Sequence, residues 1–265
     1  MPAALRFLPK YLYGICCCIY LFTFGVFSAV NRHLIFTLCF HFGLGRKDVP
    51  LLLPTVSIDD FAPDDERLHL LSLEAMPGNV TTTELVVLNR TIRKIGARNI
   101  FEIGTFDGRT TLNMAANMIS PGRVITLDLP RADLQNTKLK TEIADRAFIN
   151  KESSGERFQS NSALSKCITQ VFGDSASFDF SPYKASMDLV FVDGSHAYEY
   201  VLNDAKKAIA LIREQGGTIF FHDYASCWPG VNQALNELML NDINFKNLIH
   251  ISGTTLAVLK VSPKA

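Results

Sequence analysis

Through the second part of this chain, short runs of apolar and β-branched residues alternate with stretches whose apolar positions follow helical spacing. The runs are Asn99–Ile103, Arg123–Asp128, Ile168–Phe172, Met187–Asp193 and Thr218–Phe221, each ending near a glycine, an aspartate or a histidine. Before the first run, Leu85, Leu88, Ile92 and Ile95 fall on one helical face. Thr81 and Glu84 form a capping-box pair at its start, and Gly96 ends it. A second helix is expected over Leu112–Met118, stopped by Ser120-Pro121-Gly122. A third, over Tyr198–Glu214, buries Val201, Leu202, Ala205, Ala208, Ile209 and Ile212 before Gly216-Gly217. Strand and helix in regular alternation predict an α/β fold with a doubly wound, mostly parallel sheet. The polar, irregular segment Leu129–Ser165 reads as an insertion over the sheet edge, helical near Leu134–Phe148, and suited to act as a lid.

The N-terminal region follows a different pattern. No residue from Tyr11 to Val30 is charged, and Arg6 and Lys10 precede the run. About 20 helical residues match the ~30 Å hydrocarbon layer, so residues 1–46 are expected to be a membrane anchor with a transmembrane helix. The rival is a cleaved signal peptide, which the second apolar stretch Leu34–Leu44 disfavours. Basic residues flank both sides (Arg6 and Lys10, then Arg32, Arg46 and Lys47), so charge does not orient the helix. Residues 47–80, with Pro50, Pro54 and Pro63, are expected to form a linker and a leading helix near Glu66–Ala75, and residues 81–265 the catalytic domain. Asn79 and Asn89 head formal glycosylation sequons, read as chance matches.

Charge adds one exclusion. Twenty-six basic residues balance 26 acidic ones, so nothing favours a nucleic-acid partner. Four of the six cysteines (Cys16, Cys17, Cys18 and Cys39) lie in the N-terminal region, which gives neither a disulfide framework nor zinc spacing.

Chemistry concentrates where the predicted strands end. In Glu102-Ile-Gly104-Thr105-Phe-Asp107-Gly108, two glycines bracket a strand-to-helix loop. Glu102 and Asp107 stand where a dinucleotide fingerprint has glycines, so a pyrophosphate is disfavoured and a cationic, hydroxyl-bearing ligand such as S-adenosylmethionine suits better. Asp128, at the tip of the next strand, is positioned for ribose hydroxyls, and Asp174 equally for an adenine amino group or as the turn former after Gly173. Asp193 and Asp223 end strands expected to be neighbours and suit a hard cation such as Mg²⁺. His196 is the candidate base, and His222 is read as a supporting residue.

Phe-Glu-Ile-Gly-Thr-Phe-Asp-Gly-Arg-Thr-Thr (101–111), Gly-Asp-Ser (173–175), Phe-Val-Asp-Gly-Ser-His-Ala-Tyr-Glu-Tyr (191–200) and His-Asp-Tyr (222–224) resemble the class I S-adenosylmethionine-dependent methyltransferases. The resemblance is to the methyltransferase-24 branch, related to small-molecule O-methyltransferases. It implies a seven-stranded sheet closing on an antiparallel hairpin built from Ile249–Ile251 and Thr254–Val261. It also assigns Glu102, Gly104, Thr105 and Gly108 to the methionine end of the donor, Asp128 to ribose and Asp174 to adenine. Metal-dependent relatives use an Asp-Asn pair and a lysine base, whereas this chain has Tyr224 and His196 at those points. The expected protein is a single-pass, membrane-anchored O-methyltransferase for a small hydroxylated or glycosyl acceptor. Its catalytic residues are His196 and Asp193, its metal ligands Asp193 and Asp223. Because the methyl donor is made in the cytosol, the catalytic domain is expected there. A tethered, non-catalytic binding protein of the same fold is the alternative; a nicotinamide oxidoreductase is disfavoured by Glu102 and Asp107.

Overall fold

The computed structural model describes residues 3–41, 49–62, 67–225 and 227–263. It divides into two units, residues 1–48 and 49–265.

In the first unit, α1 (Ala3–Thr23) and α2 (Ala29–His41) flank a 3₁₀ turn at Gly25–Phe27. This overturns the transmembrane expectation. The charge-free run is not one helix: α1 stops at Thr23, whose Oγ1 donates to the Ile19 carbonyl, and Ser28 is extended. The start of α1 is spent on Arg6, Pro9 and Lys10, and its uncharged part, 11 to 23, is about 20 Å long against the ~30 Å required. No helix among the described residues is long and apolar enough to cross a membrane. The single-pass anchor, and the single-pass membrane localisation that depended on it, are not supported. Arg46 and Lys47 lie outside the described residues.

The second unit runs β1 (Thr55–Val56), α3 (Ile58–Phe61), α4 (Thr82–Lys94), β2 (Asn99–Ile103), α5 (Arg109–Asn117), β3 (Arg123–Asp128), α6 (Arg146–Ile149), α7 (Glu156–Gln159), β4 (Ile168–Phe172), β5 (Leu189–Val192), α8 (Tyr198–Leu211), β6 (Gly217–Phe221), α9 (Pro229–Asn241), β7 (Ile249–Ile251) and β8 (Ala257–Val261). The sheet has eight strands, not seven, in the order β1-β7-β8-β6-β5-β2-β3-β4. The extra strand is the two-residue β1, which pairs with β7 in parallel and carries no sequence pattern of its own. β8 runs antiparallel to β6 and β7, while β6, β5, β2, β3 and β4 are mutually parallel.

Period-two alternation sorts β5 between two cores. Leu189 and Phe191 pack with Leu85, Leu88 and Ile92 of α4, while Val190 and Val192 pack with α8 and α9. The capping box at Thr81 and Glu84 forms as expected. Ile95, however, sits at the helix C-terminus and is exposed. Asn89 is fully buried within α4, which excludes its sequon from glycosylation.

Two expected helices are absent. Residues 67–75, of the predicted Glu66–Ala75 helix, form no helix, and Ser72 takes φ +52°. They lie along α5, where the Asn113 and Asn117 amides bond both ways with the backbone of Leu71 and His69. The insertion 129–165 holds a 3₁₀ turn at Arg131–Asn136, the short α6 and α7 and the start of a 3₁₀ turn at Leu164–Cys167, not a helix over Leu134–Phe148. Its polar residues bond to the strand tips instead of to their own backbone ladder.

Candidate active site

The carboxyl ends of the parallel strands build the site. Gly104 follows β2 with φ +102°, and its N–H donates to the Leu127 carbonyl of β3 at 2.8 Å. A Cβ there would lie 2.0 Å from the Asp193 carbonyl oxygen, so the glycine is demanded by the neighbouring strand tip. Gly108, at φ +82°, caps α5, and Asp107 accepts from the Arg109 N–H at 2.9 Å. Thr105 is buried, with its Oγ1 2.6 Å from Thr126 Oγ1. Above this loop lies a cavity of about 90 Å³ lined by Gly104, Asp128, Asp174, Tyr200 and, from the insertion, Phe148 and Lys151.

Glu102 does not reach that cavity. Alternation along β2 turns it toward α5, where it is fully buried and accepts from Thr111 Oγ1 and, at 2.6 Å, from Thr126 Oγ1. Burial pushes its carboxyl up to about 8, with the two hydroxyls opposing part of the rise. Its Oε1 meets no partner among the described residues, which a neutral carboxyl tolerates better than a charged one. The folded state therefore holds this proton from about 4.5 to about 8, where the unfolded chain has released it, so stability falls as pH rises through that window. Glu102→Gln is expected to remove this loss. In urea titrations the variant should match wild type near pH 5 and exceed it by about 1–3 kcal/mol at pH 9. Parallel pH curves for the two proteins would refute the assignment.

Asp128 and Asp174 do reach the cavity, and both are already engaged. Lys151 Nζ lies 2.8 Å from Asp128 Oδ2. Asp174 accepts from the Lys138 N–H at 2.7 Å and from Tyr200 Oη at 2.8 Å, so it fastens the insertion and its own turn.

Next to this cavity, acids and imidazoles alternate. His222 Nδ1 lies 3.1 Å from Asp193 Oδ1 and 3.0 Å from Asp223 Oδ2, and its Nε2 lies 3.4 Å from Glu84 Oε2. His196 Nε2 lies 2.8 Å from Asp223 Oδ2, and its Nδ1 2.5 Å from Asp145 Oδ1. The Trp228 ring stacks on His196 at 3.5 Å between centroids. Burial opposes charge on His196, but Asp145 and Asp223 outweigh it and raise its pKa to about 10. The carboxylates Asp193 and Asp223 likewise hold His222 well above its ordinary value against burial. Asp223 is depressed by the two imidazoles although burial opposes this, whereas burial raises Asp193. A cavity of about 310 Å³ opens on this cluster, walled by Glu84, Phe106, Phe148 and Trp228.

Does the cluster fit Mg²⁺? Ligand atoms of Asp193, His222 and Asp223 lie within 4.8 Å of one another. The set is two oxygens and a nitrogen, while Mg²⁺ demands oxygen. Tyr224 supplies no third oxygen: its buried hydroxyl accepts from the Leu52 and Leu53 N–H groups and donates to Asn236 Oδ1. The imidazoles already neutralise the two carboxylates. Asp193 and Asp223 thus offer two carboxylate oxygens and His222 a nitrogen, a poorer set for Mg²⁺ than oxygens alone.

The structure thus brings Asp128, Asp174, Asp193, His196 and Asp223 to one rim and leaves Glu102 beneath it. His222, read as supporting, stands at the centre. Asp145, Lys151, Phe148 and Trp228 are missing from the sequence-based site, because no local pattern ties a loop acid or a lone tryptophan to a strand tip far along the chain. Glu84 is visible in the sequence only as a cap; its Oε1 also accepts from the Thr255 N–H and Oγ1.

This strand order with the glycine loop and acidic strand tips defines the methyltransferase class of α/β folds. A family model for a methyltransferase domain (Methyltransf_24) matches residues 101–224. Caffeoyl-CoA O-methyltransferase 2 of Petunia hybrida is 27% identical over 157 residues, 58% of this chain and 57% of the relative. The chain thus spans less than two thirds of that relative's length. The O-methyltransferase TomG of Streptomyces achromogenes, involved in tomaymycin synthesis and solved with S-adenosylmethionine, superposes with a TM-score of 0.50 at 17% identity. That match covers 73% of this chain and 93% of TomG, and it establishes a shared fold.

Proposed function

We propose that the protein transfers a methyl group from S-adenosylmethionine to a hydroxyl of a small hydroxylated or glycosyl acceptor. One observation carries this reading: the two cavities meet across Phe106, Phe148, Asp193 and Gly194, which line both. A sulfonium methyl in the first and a hydroxyl in the second meet where those four residues border both cavities, as in-line displacement requires. The petunia relative's name and TomG's bound donor support the same chemistry.

The acceptor oxygen forms a C–O bond while the C–S bond breaks, and that electron pair stays on sulfur as S-adenosylhomocysteine. The role of base moves away from His196, whose ring is already protonated at neutral pH between Asp145 and Asp223. Asp193, made more basic by burial, accepts the hydroxyl proton, and the His196 imidazolium stabilises the oxygen as the proton leaves. Asp128 binds the ribose hydroxyls once Lys151 yields its place.

Calorimetry with S-adenosylmethionine tests the donor site. Asp128→Ala removes two charge-assisted hydrogen bonds to ribose and should weaken binding about 100-fold, about 2.7 kcal/mol. Production of S-adenosylhomocysteine with a panel of hydroxylated acceptors, read by mass spectrometry, tests turnover. Donor affinity equal in wild type and Asp128→Ala would count against the assignment, and a wild-type chain that binds no donor would end it.

A further inference from the structure

Three residues of the insertion, spaced by three, reach three parts of the site. Asp145 meets His196, Phe148 lines both cavities, and Lys151 meets Asp128. Asp145 is the least expected of them. It is 2% exposed, yet it begins a helix of only four residues, which needs no buried acid to form. Burying a carboxylate costs several kcal/mol unless it is paired and hydrogen-bonded. Here both oxygens are used: Oδ1 lies 2.5 Å from His196 Nδ1 and accepts from the His196 N–H at 3.4 Å, while Oδ2 accepts from Ser195 Oγ at 2.6 Å and from the Glu142 N–H at 3.2 Å.

We propose that Asp145 is a positioning residue that holds the His196 ring at the acceptor cavity, so that the acceptor side is complete only when the insertion lies over the strand tips. The proposal rests on the methyl-transfer reading above. His196 can rotate about two side-chain bonds, and its setting here is determined from three directions. Asp145 fixes Nδ1, Asp223 takes Nε2 at 2.8 Å, and the Trp228 ring covers one face at an interplanar angle of 16°. Of these, Asp223 and Trp228 come from the segment between β6 and α9, while Asp145 alone is delivered by the insertion. Phe148, three residues further on, faces the same imidazole at 6.3 Å and closes the wall the two cavities share. An insertion lifted from the strand tips would take away the Nδ1 partner and the wall together. Completion of the acceptor side thereby depends on one short stretch of backbone.

Proton–nitrogen NMR of the full chain, with ring nitrogens labelled in histidine, tests this directly and needs no acceptor. In wild type, the His196 Nδ1 proton should appear far downfield and exchange slowly, as expected for a short charge-assisted hydrogen bond. Asp145→Asn, which keeps the volume, should shift it upfield, and Asp145→Ala should lose it. Donor affinity by calorimetry should change less than about threefold in both. With any acceptor that yields S-adenosylhomocysteine, Asp145→Asn should lower kcat about 10- to 100-fold while acceptor KM moves less than about threefold, a split that loss of fold stability alone does not produce. If Asp145→Ala does not fold, Asp145→Asn decides. An unchanged His196 signal in the variant, beside normal donor binding, overturns the role of Asp145 and leaves the methyl-transfer reading standing. A wild-type chain that binds no donor removes the reaction Asp145 would serve.

Discussion

Gly104→Ala is expected to destabilise the second unit by on the order of 4 kcal/mol, before any ligand is considered. Two costs combine. At φ +102° an L side chain is strained by about 1–3 kcal/mol. Its Cβ would also lie 2.0 Å from the Asp193 carbonyl oxygen and 2.6 Å from the Asp193 carbonyl carbon, so strand tips must separate to admit it. Separation is resisted on both sides: the Gly104 N–H is bonded to Leu127, and the Asp193 N–H to Ile103 at 2.8 Å. A drop in Tm of about 10 °C by circular dichroism follows for a unit of this size. Loss of donor binding in a Gly104 variant would therefore report damage to the β2–β5 edge, and Asp128 is the cleaner probe. A Gly104→Ala protein that melts with wild type would refute the close approach of these tips.

Arg109→Met carries the next largest effect, about 3–5 kcal/mol. The arginine is fully buried and its guanidinium donates to three carbonyls of the irregular segment before α4: Ser72 at 2.7 Å, Leu73 at 3.3 Å and Val80 at 2.6 Å. Methionine fills similar space but leaves those oxygens without a donor, each worth about 1.5–3 kcal/mol when bonded to a charged group. Hydrogen exchange should locate the damage, with amides of 69–80 losing protection while those of β3 and β5 keep theirs. Asn79 and Thr81 belong to the acceptor cavity wall, so that wall loosens with the segment. Arg109→Lys keeps the charge but cannot serve three carbonyls from one fork, and should recover only part of the loss. Unaltered exchange over 69–80 in Arg109→Met would show that the segment is held by other contacts.

Much of the site is legible in the residue pattern alone, and the reason lies in strand periodicity. Runs such as Leu189–Val192 are apolar on both faces because helices cover both, so their ends, and the acids Asp128, Asp193 and Asp223 at those ends, are marked by a change of residue type. Where the pattern misleads, the causes are equally local. Counting uncharged residues from Tyr11 to Val30 measures hydrophobic length but not helix continuity, and the backbone breaks at Thr23 and Ser28. Glu102 resembles a rim residue because it precedes a glycine loop, but alternation turns it toward Thr111 and Thr126. The strap 67–80 has a helical composition, yet its backbone partners are the side chains of Arg109, Asn113 and Asn117.

The linear order of residues dictates the wound parallel sheet, its glycine loop and the acids at its edge, since periodicity and turn chemistry are written within a few residues of each other. Packing of the layers brings Asp145 to His196 and Lys151 to Asp128, and it commits Tyr224 to Leu52, Leu53 and Asn236 in place of a metal. Those pairings join residues 12 to 172 positions apart, where contact depends on how sheet and helices stack and nothing in the local pattern encodes it.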